Sequence, residues 1–258
     1  MKISRPHRLN PLIMIVVIIA VILAAGVMWW LLKSQTAAPK KAPDPQVASE
    51  TQAVVSPQPS FDKKLYSTID PTSLWVIVNK QHPLTPIDFT PADIITGLDG
   101  YAYSQRIDTN LRALFKKAET DSIAISLTSA FRPFSGQQTL YRNYTAQYGQ
   151  ATADTISARA GYSEHQTGLT VDISGSSQPA CNFNPCFVDT AEGKWLALNA
   201  REFGFIVRYT AGNEDITGYN PEAWHLRYVG AELASILSKE KIDTLEEFFN
   251  VKGGKVYK

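Results

Sequence analysis

The sequence predicts an α+β domain, a small mixed or antiparallel sheet flanked by helices, carried behind an N-terminal transmembrane helix and a linker. Three observations lead there. Residues 11–32 (PLIMIVVIIAVILAAGVMWWLL) contain no charge. Residues 34–60 are rich in Ala, Pro, Ser and Gln and have no apolar periodicity. From about residue 65, stretches of helical period alternate with short strand-like runs, and their spacing does not demand a parallel sheet.

At about 1.5 Å per residue the Pro11–Leu32 run makes a helix of about 33 Å, enough for a hydrocarbon core of about 30 Å. Trp29 and Trp30 fall where an interfacial aromatic belt belongs, and Lys33 closes the span. A cleaved leader ending near Ala24, Ala25 and Gly26 is the alternative, but the run is longer than a usual signal core. Lys2, Arg5 and Arg8 before the run balance Lys33, Lys40 and Lys41 after it. Residues 1–10 are expected in the cytoplasm, because so short a tail has no folded content to translocate. The expected localisation is therefore the cell membrane, single-pass, with the folded part outside. Residues 33–64 read as a linker that holds a domain spanning 65–258 away from the membrane.

SLWVIVN (73–79) is a strand or a buried turn. DTNLRALFKKAET (108–120) puts Leu111, Leu114, Phe115 and Ala118 on one helical face, with Asp108 as N-cap. SIAISLTSA (122–130) alternates Ile123, Ile125 and Leu127 with small residues and reads as a strand. A helix follows over 136–149, ending at Gly149, then a strand at LTVDI (169–173). A helix over 190–204 stops at Gly204 and feeds the strand FIVRY (205–209). WHLRYVG (224–230) is a further strand, and 230–241 and 244–250 are helices.

The net charge is +1, and the chain has no basic run with interleaved aromatics, no Gly-rich phosphate loop and no internal repeat. Nothing points to nucleic acid. The two cysteines, in CNFNPC, permit a metal pair or a redox pair, but no second pair exists to complete a zinc knuckle. A disulfide between Cys181 and Cys186 outside the cytoplasm is the better reading. It would staple a surface excursion and carry no chemistry.

Chemistry has few candidates. Of four histidines, His7 precedes the apolar run and His82 precedes a proline in a loop. That leaves His165, just before LTVDI, and His225, within WHLRYVG. With Asp172 they form a possible three-ligand set for a divalent cation with an open position for water, and Glu222, three residues before His225, is placed to act as a base. Spacing alone leaves the bland alternative open: a lone histidine is usually a hydrogen-bonded structural residue, and 60 residues separate these two. There is no HExxH helix.

SAFRPFSGQ (129–137), SARAGYSEHQTGLTVDI (157–173), FGFIVRY (203–209) and ITGYNPEAWHLRYVG (216–230) together resemble the VanY-type D-alanyl-D-alanine carboxypeptidases, zinc peptidases that act on peptidoglycan stem peptides. The resemblance covers about residues 70–250. It implies a Hedgehog/DD-peptidase-like fold and one Zn²⁺ per chain bound by His165, Asp172 and His225. It implies Glu222 as the catalytic base and Arg132 as the group that stabilises the oxyanion or grips the terminal carboxylate. It also implies Gln137 and Ser163 in the substrate pocket. A guanidinium fork suits a carboxylate-ended substrate. Departures at Ala160, Thr170, Thr210 and Asn213 bear on loop stiffness and pocket shape, and none removes a ligand or the base. The partners this implies are peptidoglycan stem peptides and, through the N-terminal helix, the membrane. The rival readings are an L,D-carboxypeptidase on tetrapeptide stems, a non-catalytic peptidoglycan-binding module, and a hydrolase using Cys181 or Cys186, which needs a free thiol.

Overall fold

Apolar residues in the runs read as strands have to be covered on both sides if those strands are central, and this is what the sheet shows. A computed structural model describes Trp29 and residues 61–258. Strands β3 (Ile125–Ser129), β4 (Thr170–Gly175), β5 (Phe205–Tyr209) and β6 (Glu222–Tyr228) form one sheet in the order β3-β4-β6-β5, antiparallel throughout. β4 is buried over its first four residues without alternation, as a strand packed on both faces should be. A two-stranded hairpin, β1 (Ile94–Thr96) and β2 (Ala102–Ser104), stands apart. It is not read from the sequence because three-residue strands carry no measurable period.

Helix α1 (Asp108–Thr120) buries Leu111, Leu114 and Ala118 against Leu127, Val171, Ile173, Phe205 and Leu226 from the sheet. Asp108 is its first helical residue and not its N-cap. Its carboxylate instead accepts from the Tyr103 hydroxyl (2.7 Å) and Arg112 (2.9 Å), while Ser104 caps the preceding 3-10 turn. α2 (Phe134–Tyr148) begins two residues before the expected start, directly after Pro133. α3 (Gln150–Ile156) follows Gly149. The 190–204 helix divides into α4 (Ala191–Asn199), capped by Thr190, and a 3-10 turn over Ala200–Phe203. The short α5 (Glu214–Thr217) precedes β6, and α6 (Ala231–Glu240) and α7 (Leu245–Phe249) close the fold.

Of the two readings for residues 73–79, the buried turn holds and the strand does not. Trp75, Val76, Ile77 and Val78 are buried, and the segment's polar groups bond elsewhere in the fold: Arg227 donates to the carbonyls of Leu74 (3.0 Å) and Val76 (2.8 Å), and Trp75 Nε1 donates to Val229 O (2.9 Å). Buried backbone must find partners, and here a buried arginine supplies them where a neighbouring strand would. Phe61 already packs on Trp75 and Phe248, with ring centroids 5.1 and 5.7 Å away, ahead of residue 65 where the sequence places the start of the domain. The Pro11–Leu32 run, Trp29 apart, lies outside the described residues. Among those described, no helix is long and apolar enough to cross a membrane.

Candidate metal centre and active site

The pairing of β4 with β6 sets Asp172 directly opposite His225. Cross-strand partners share a face, so carboxylate and imidazole meet without help from a loop. The third side chain comes from the turn that enters β4. His165 sits in a 3-10 turn over Glu164–Thr167, closed by Gly168 in the left-handed conformation (φ 69°). A Cβ there would stand 2.6 Å from Ile94 Cδ1 and 3.0 Å from Ser104 N, so this position requires glycine twice over. Two register shifts, between Leu127 and Ser129 in β3 and between Val207 and Tyr209 in β5, fall at the site end of the sheet. Bulges of this kind re-aim side chains. Here they bring Ser129 opposite Asp172 and Tyr209 opposite Glu222.

His165, Asp172 and His225 each offer one ligand atom, all within 4.8 Å of one another, and all three residues are buried. His165 Nδ1–H donates to Ala130 O (2.7 Å), which leaves the Nε2 lone pair facing Asp172 Oδ2 at 3.1 Å. His225 Nδ1 lies 3.2 Å from Asp172 Oδ1 and 3.4 Å from Glu222 Oε2, while its Nε2 faces Glu164 Oε2 at 3.6 Å. Asp172 Oδ1, Glu164 Oε2 and His225 Nε2 are buried without a hydrogen-bond partner. Three carboxylates around two imidazoles leave negative charge and lone pairs that a divalent cation fits.

The electrostatics agree. Burial works against the charged form of His225, but the facing carboxylates of Asp172 and Glu164 outweigh it and hold the imidazolium up to about 9. Burial pulls His165 down. Burial would raise Asp172, yet the two histidines keep it well below the usual carboxylate range. Glu222 behaves in the opposite sense: burial and the nearby Asp172 charge push it up to about 7 against the pull of His225. A carboxyl poised near neutrality is what a general base at neutral pH needs.

Arg132 enters from the β3–α2 connection, where its backbone N–H donates to His165 O (3.1 Å). Its guanidinium is fixed by Gln137 Oε1 and Ser129 Oγ, both at 2.8 Å. Gln137 is buried and donates in turn to Ala158 O (2.6 Å), so it positions Arg132 as well as lining the cleft. Ser163 lines the cleft and makes no side-chain cap bond to the following turn. The cleft measures about 560 Å³. Every site residue read from the sequence, Cys181 and Cys186 apart, lies on its wall, while His82 bridges Asn79 elsewhere.

Cys181 and Cys186 are joined by a disulfide, which leaves no free thiol for a cysteine nucleophile. The loop they close is not chemically remote: Phe183, Asn184 and Pro185 line the cleft. Sequence reasoning also passes over Glu164, Tyr209 and Tyr219. Glu164 had one visible signal, a carboxylate next to a histidine in SEHQ. The Tyr209 ring lies 4.8 Å from the His225 ring, tilted by 43°, and Tyr219 lies 5.3 Å from Tyr209.

A buried two-histidine, one-carboxylate cluster with a further carboxyl and an arginine beside it, at the end of a small antiparallel sheet, is the arrangement of mononuclear metal hydrolases. The family model for VanY D-alanyl-D-alanine carboxypeptidase matches residues 101–231, and the chain belongs to that family. YodJ of Bacillus subtilis is 34% identical over 189 residues, covering 70% of this chain and 68% of the relative. The structure of the LdcB LD-carboxypeptidase superposes with a TM-score of 0.63 at 33% identity, covering 70% of this chain and 88% of that one. A VanY D,D-pentapeptidase variant in complex with Zn(II) superposes with a TM-score of 0.59 at 31% identity, covering 68% of this chain and 98% of the other.

Proposed function

We propose that this protein is a zinc-dependent D,D-carboxypeptidase that removes the C-terminal D-alanine from peptidoglycan stem peptides. The observation that carries the reading is the convergence of His165, Asp172, His225, Glu222 and Arg132 on one cleft. Family membership and a relative described with Zn(II) support the metal. When bound by His165, Asp172 and His225, zinc supplies Lewis acidity to the scissile carbonyl and to the attacking water. Glu222 takes the proton of that water and delivers it to the amide nitrogen as the C–N bond breaks. Carbonyl carbon gains the hydroxyl, and D-alanine leaves as the free amino acid. Arg132 pairs with the terminal carboxylate, its fork already oriented by Gln137 and Ser129.

The Pro11–Leu32 run serves as a membrane anchor in this reading, with the domain outside the cell. The Cys181–Cys186 bond supports an oxidising compartment, and the substrate is found there. The deciding experiment is D-alanine release from defined penta- and tetrapeptide stems by the zinc-loaded protein. Release from the pentapeptide is expected. Release from the tetrapeptide alone would mean the L,D-activity named for LdcB, and zinc binding without release from either would mean a binding module.

A further inference from the structure

The peptide unit between Ala158 and Arg159 is gripped on both edges. Its carbonyl accepts from Gln137 Nε2 (2.6 Å), and its N–H donates to the Tyr257 hydroxyl (3.1 Å). A trans peptide is planar, with C=O and N–H pointing to opposite sides, so fixing one edge fixes what the other presents. Gln137 Nε2 also donates to Ser157 Oγ (3.2 Å). With two acceptors on that side, the amide turns Oε1 the other way, and there it accepts from Arg132 Nη1 (2.8 Å). Were the 158–159 peptide turned over, Gln137 would face an N–H, and its amide would gain by reversing. Nε2 would then meet the Arg132 guanidinium, donor against donor, and the fork would keep only its bond to Ser129.

Tyr257 stands outside the 101–231 stretch shared with the family, yet it is firmly seated. The Arg159 guanidinium carbon lies 4.1 Å from its ring centroid, and the Tyr162 ring meets it edge-on at 4.9 Å. Arg159 is itself tied to Asp154 by two hydrogen bonds (3.0 and 2.8 Å). The segment carrying Tyr257 is anchored on either side of it: Gly254 N donates to Ile216 O (2.9 Å) and Lys258 N to Lys80 O (3.0 Å). At Gly253 a Cβ would stand 1.8 Å from Ile216 O, so only glycine passes there. Burial pushes the Tyr257 hydroxyl up to about 12, so it is a neutral acceptor near pH 7.

We propose that Tyr257 is a positioning residue for the carboxylate clamp: by accepting the Arg159 N–H it fixes the peptide that orients Gln137 and, through Gln137, the guanidinium of Arg132. Tyr257 does not line the cleft and acts only through these neighbours. The inference rests on the carboxypeptidase reading, in which Arg132 holds the terminal carboxylate, and its test separates the two.

Affinity is measured on the zinc-loaded Glu222→Gln protein, with and without Tyr257→Phe. The probes are a stem pentapeptide ending in D-Ala-D-Ala and the same peptide with its terminal carboxylate amidated. Tyr257→Phe keeps the ring and removes only the acceptor. It should lower the acid-to-amide affinity ratio about fivefold, the effect of one lost hydrogen bond. In a Gln137→Ala background, where the relay is already cut, it should leave the ratio unchanged. A merely structural Tyr257 would weaken both peptides alike or lower the urea midpoint alone. Either result, an unchanged ratio, or an equal drop in the Gln137→Ala background overturns the proposal. A ratio near one with Tyr257 intact means that Arg132 grips no carboxylate, and the clamp falls with the proposal. D-alanine release by the otherwise wild-type protein is followed in parallel. Its absence overturns the carboxypeptidase reading, and the affinity ratio still decides the role of Tyr257.

Discussion

Two clusters of buried charge lie back to back in this fold and share Glu164, and they are built on opposite principles. On one side Arg208 donates to Glu164 (2.8 Å) and bidentately to Glu246 (2.7 and 2.9 Å), and Arg227 donates to Glu164 (2.7 Å) and three backbone carbonyls. Asn79 completes Glu246 (2.9 Å). On the other side His225, Asp172 and Glu164 each leave a buried polar atom without a partner. The first cluster is closed on itself and holds residues 73–79, β5, β6 and α7 together. The second is open toward the cleft. Burial of charge is thus no guide to function by itself. The unfilled hydrogen-bonding capacity is what separates a site from a brace.

That contrast can be broken in order of expected effect. Glu222→Gln should lower kcat about 10⁴-fold, the upper range for a proton-transfer group, while zinc per chain by elemental analysis stays at the wild-type level. Loss of zinc in this variant would move Glu222 into the ligand set. Arg208→Met strikes the closed cluster, leaving Glu246 and part of Glu164 unpaired. It should cost about 3 kcal/mol in urea unfolding, against little change from a surface arginine such as Arg112. Arg132→Lys keeps the charge and loses the fork. It should raise KM for the pentapeptide about tenfold, with zinc content unchanged.

The smallest effect is the most diagnostic, because two carboxylates facing the same imidazole should titrate in opposite directions. In EDTA-treated protein Glu222 holds its proton up to about 7, whereas the unfolded chain releases it near the ordinary 4.5. The folded state binds the extra proton in that window, so stability from this group falls as pH rises from about 4.5 to about 7. Burial alone would raise Glu164 too, but Arg208 and Arg227 hold it well below the carboxylate range. Its contribution is present above 4.5 and is lost as pH falls below that value. Urea midpoints between pH 3 and 8 for wild type, Glu222→Gln and Glu164→Gln should show each slope vanish with its own residue. Slopes of the same sign would erase the distinction between the clusters.

The open cluster was legible in the sequence and the closed one was not. His165, Asp172, His225 and Glu222 stand out because histidine is scarce and because the flanking stretches match a family. β5 and α1 could be read from the sequence to the residue, α1 from its one apolar face and β5 as a short β-branched and aromatic run after Gly204. Arg208 and Arg227, arginines inside short strand-like runs, carry no local mark of burial. Only the tertiary fold shows that they point into a second layer formed by residues 73–79 and α7. The strand read as WHLRYVG starts two residues after Glu222. An irregularity in β6, where the four steps from Leu226 to Glu222 face the two from Val207 to Tyr209 in β5, extends the pairing to it, and no period announces a bulge. CNFNPC was read correctly as a bonded pair of cysteines, yet its role at the cleft depends on where β4 ends, which local sequence does not encode.

The facing of Asp172 and His225 across β4 and β6 also ties assembly of the centre to assembly of the sheet. A shift of either strand by a single residue would turn one of the two to the far side, and the cation would find no pocket. In the proposed reading, metal binding therefore requires correct strand alignment, and it waits until the chain through Tyr228 has entered the sheet.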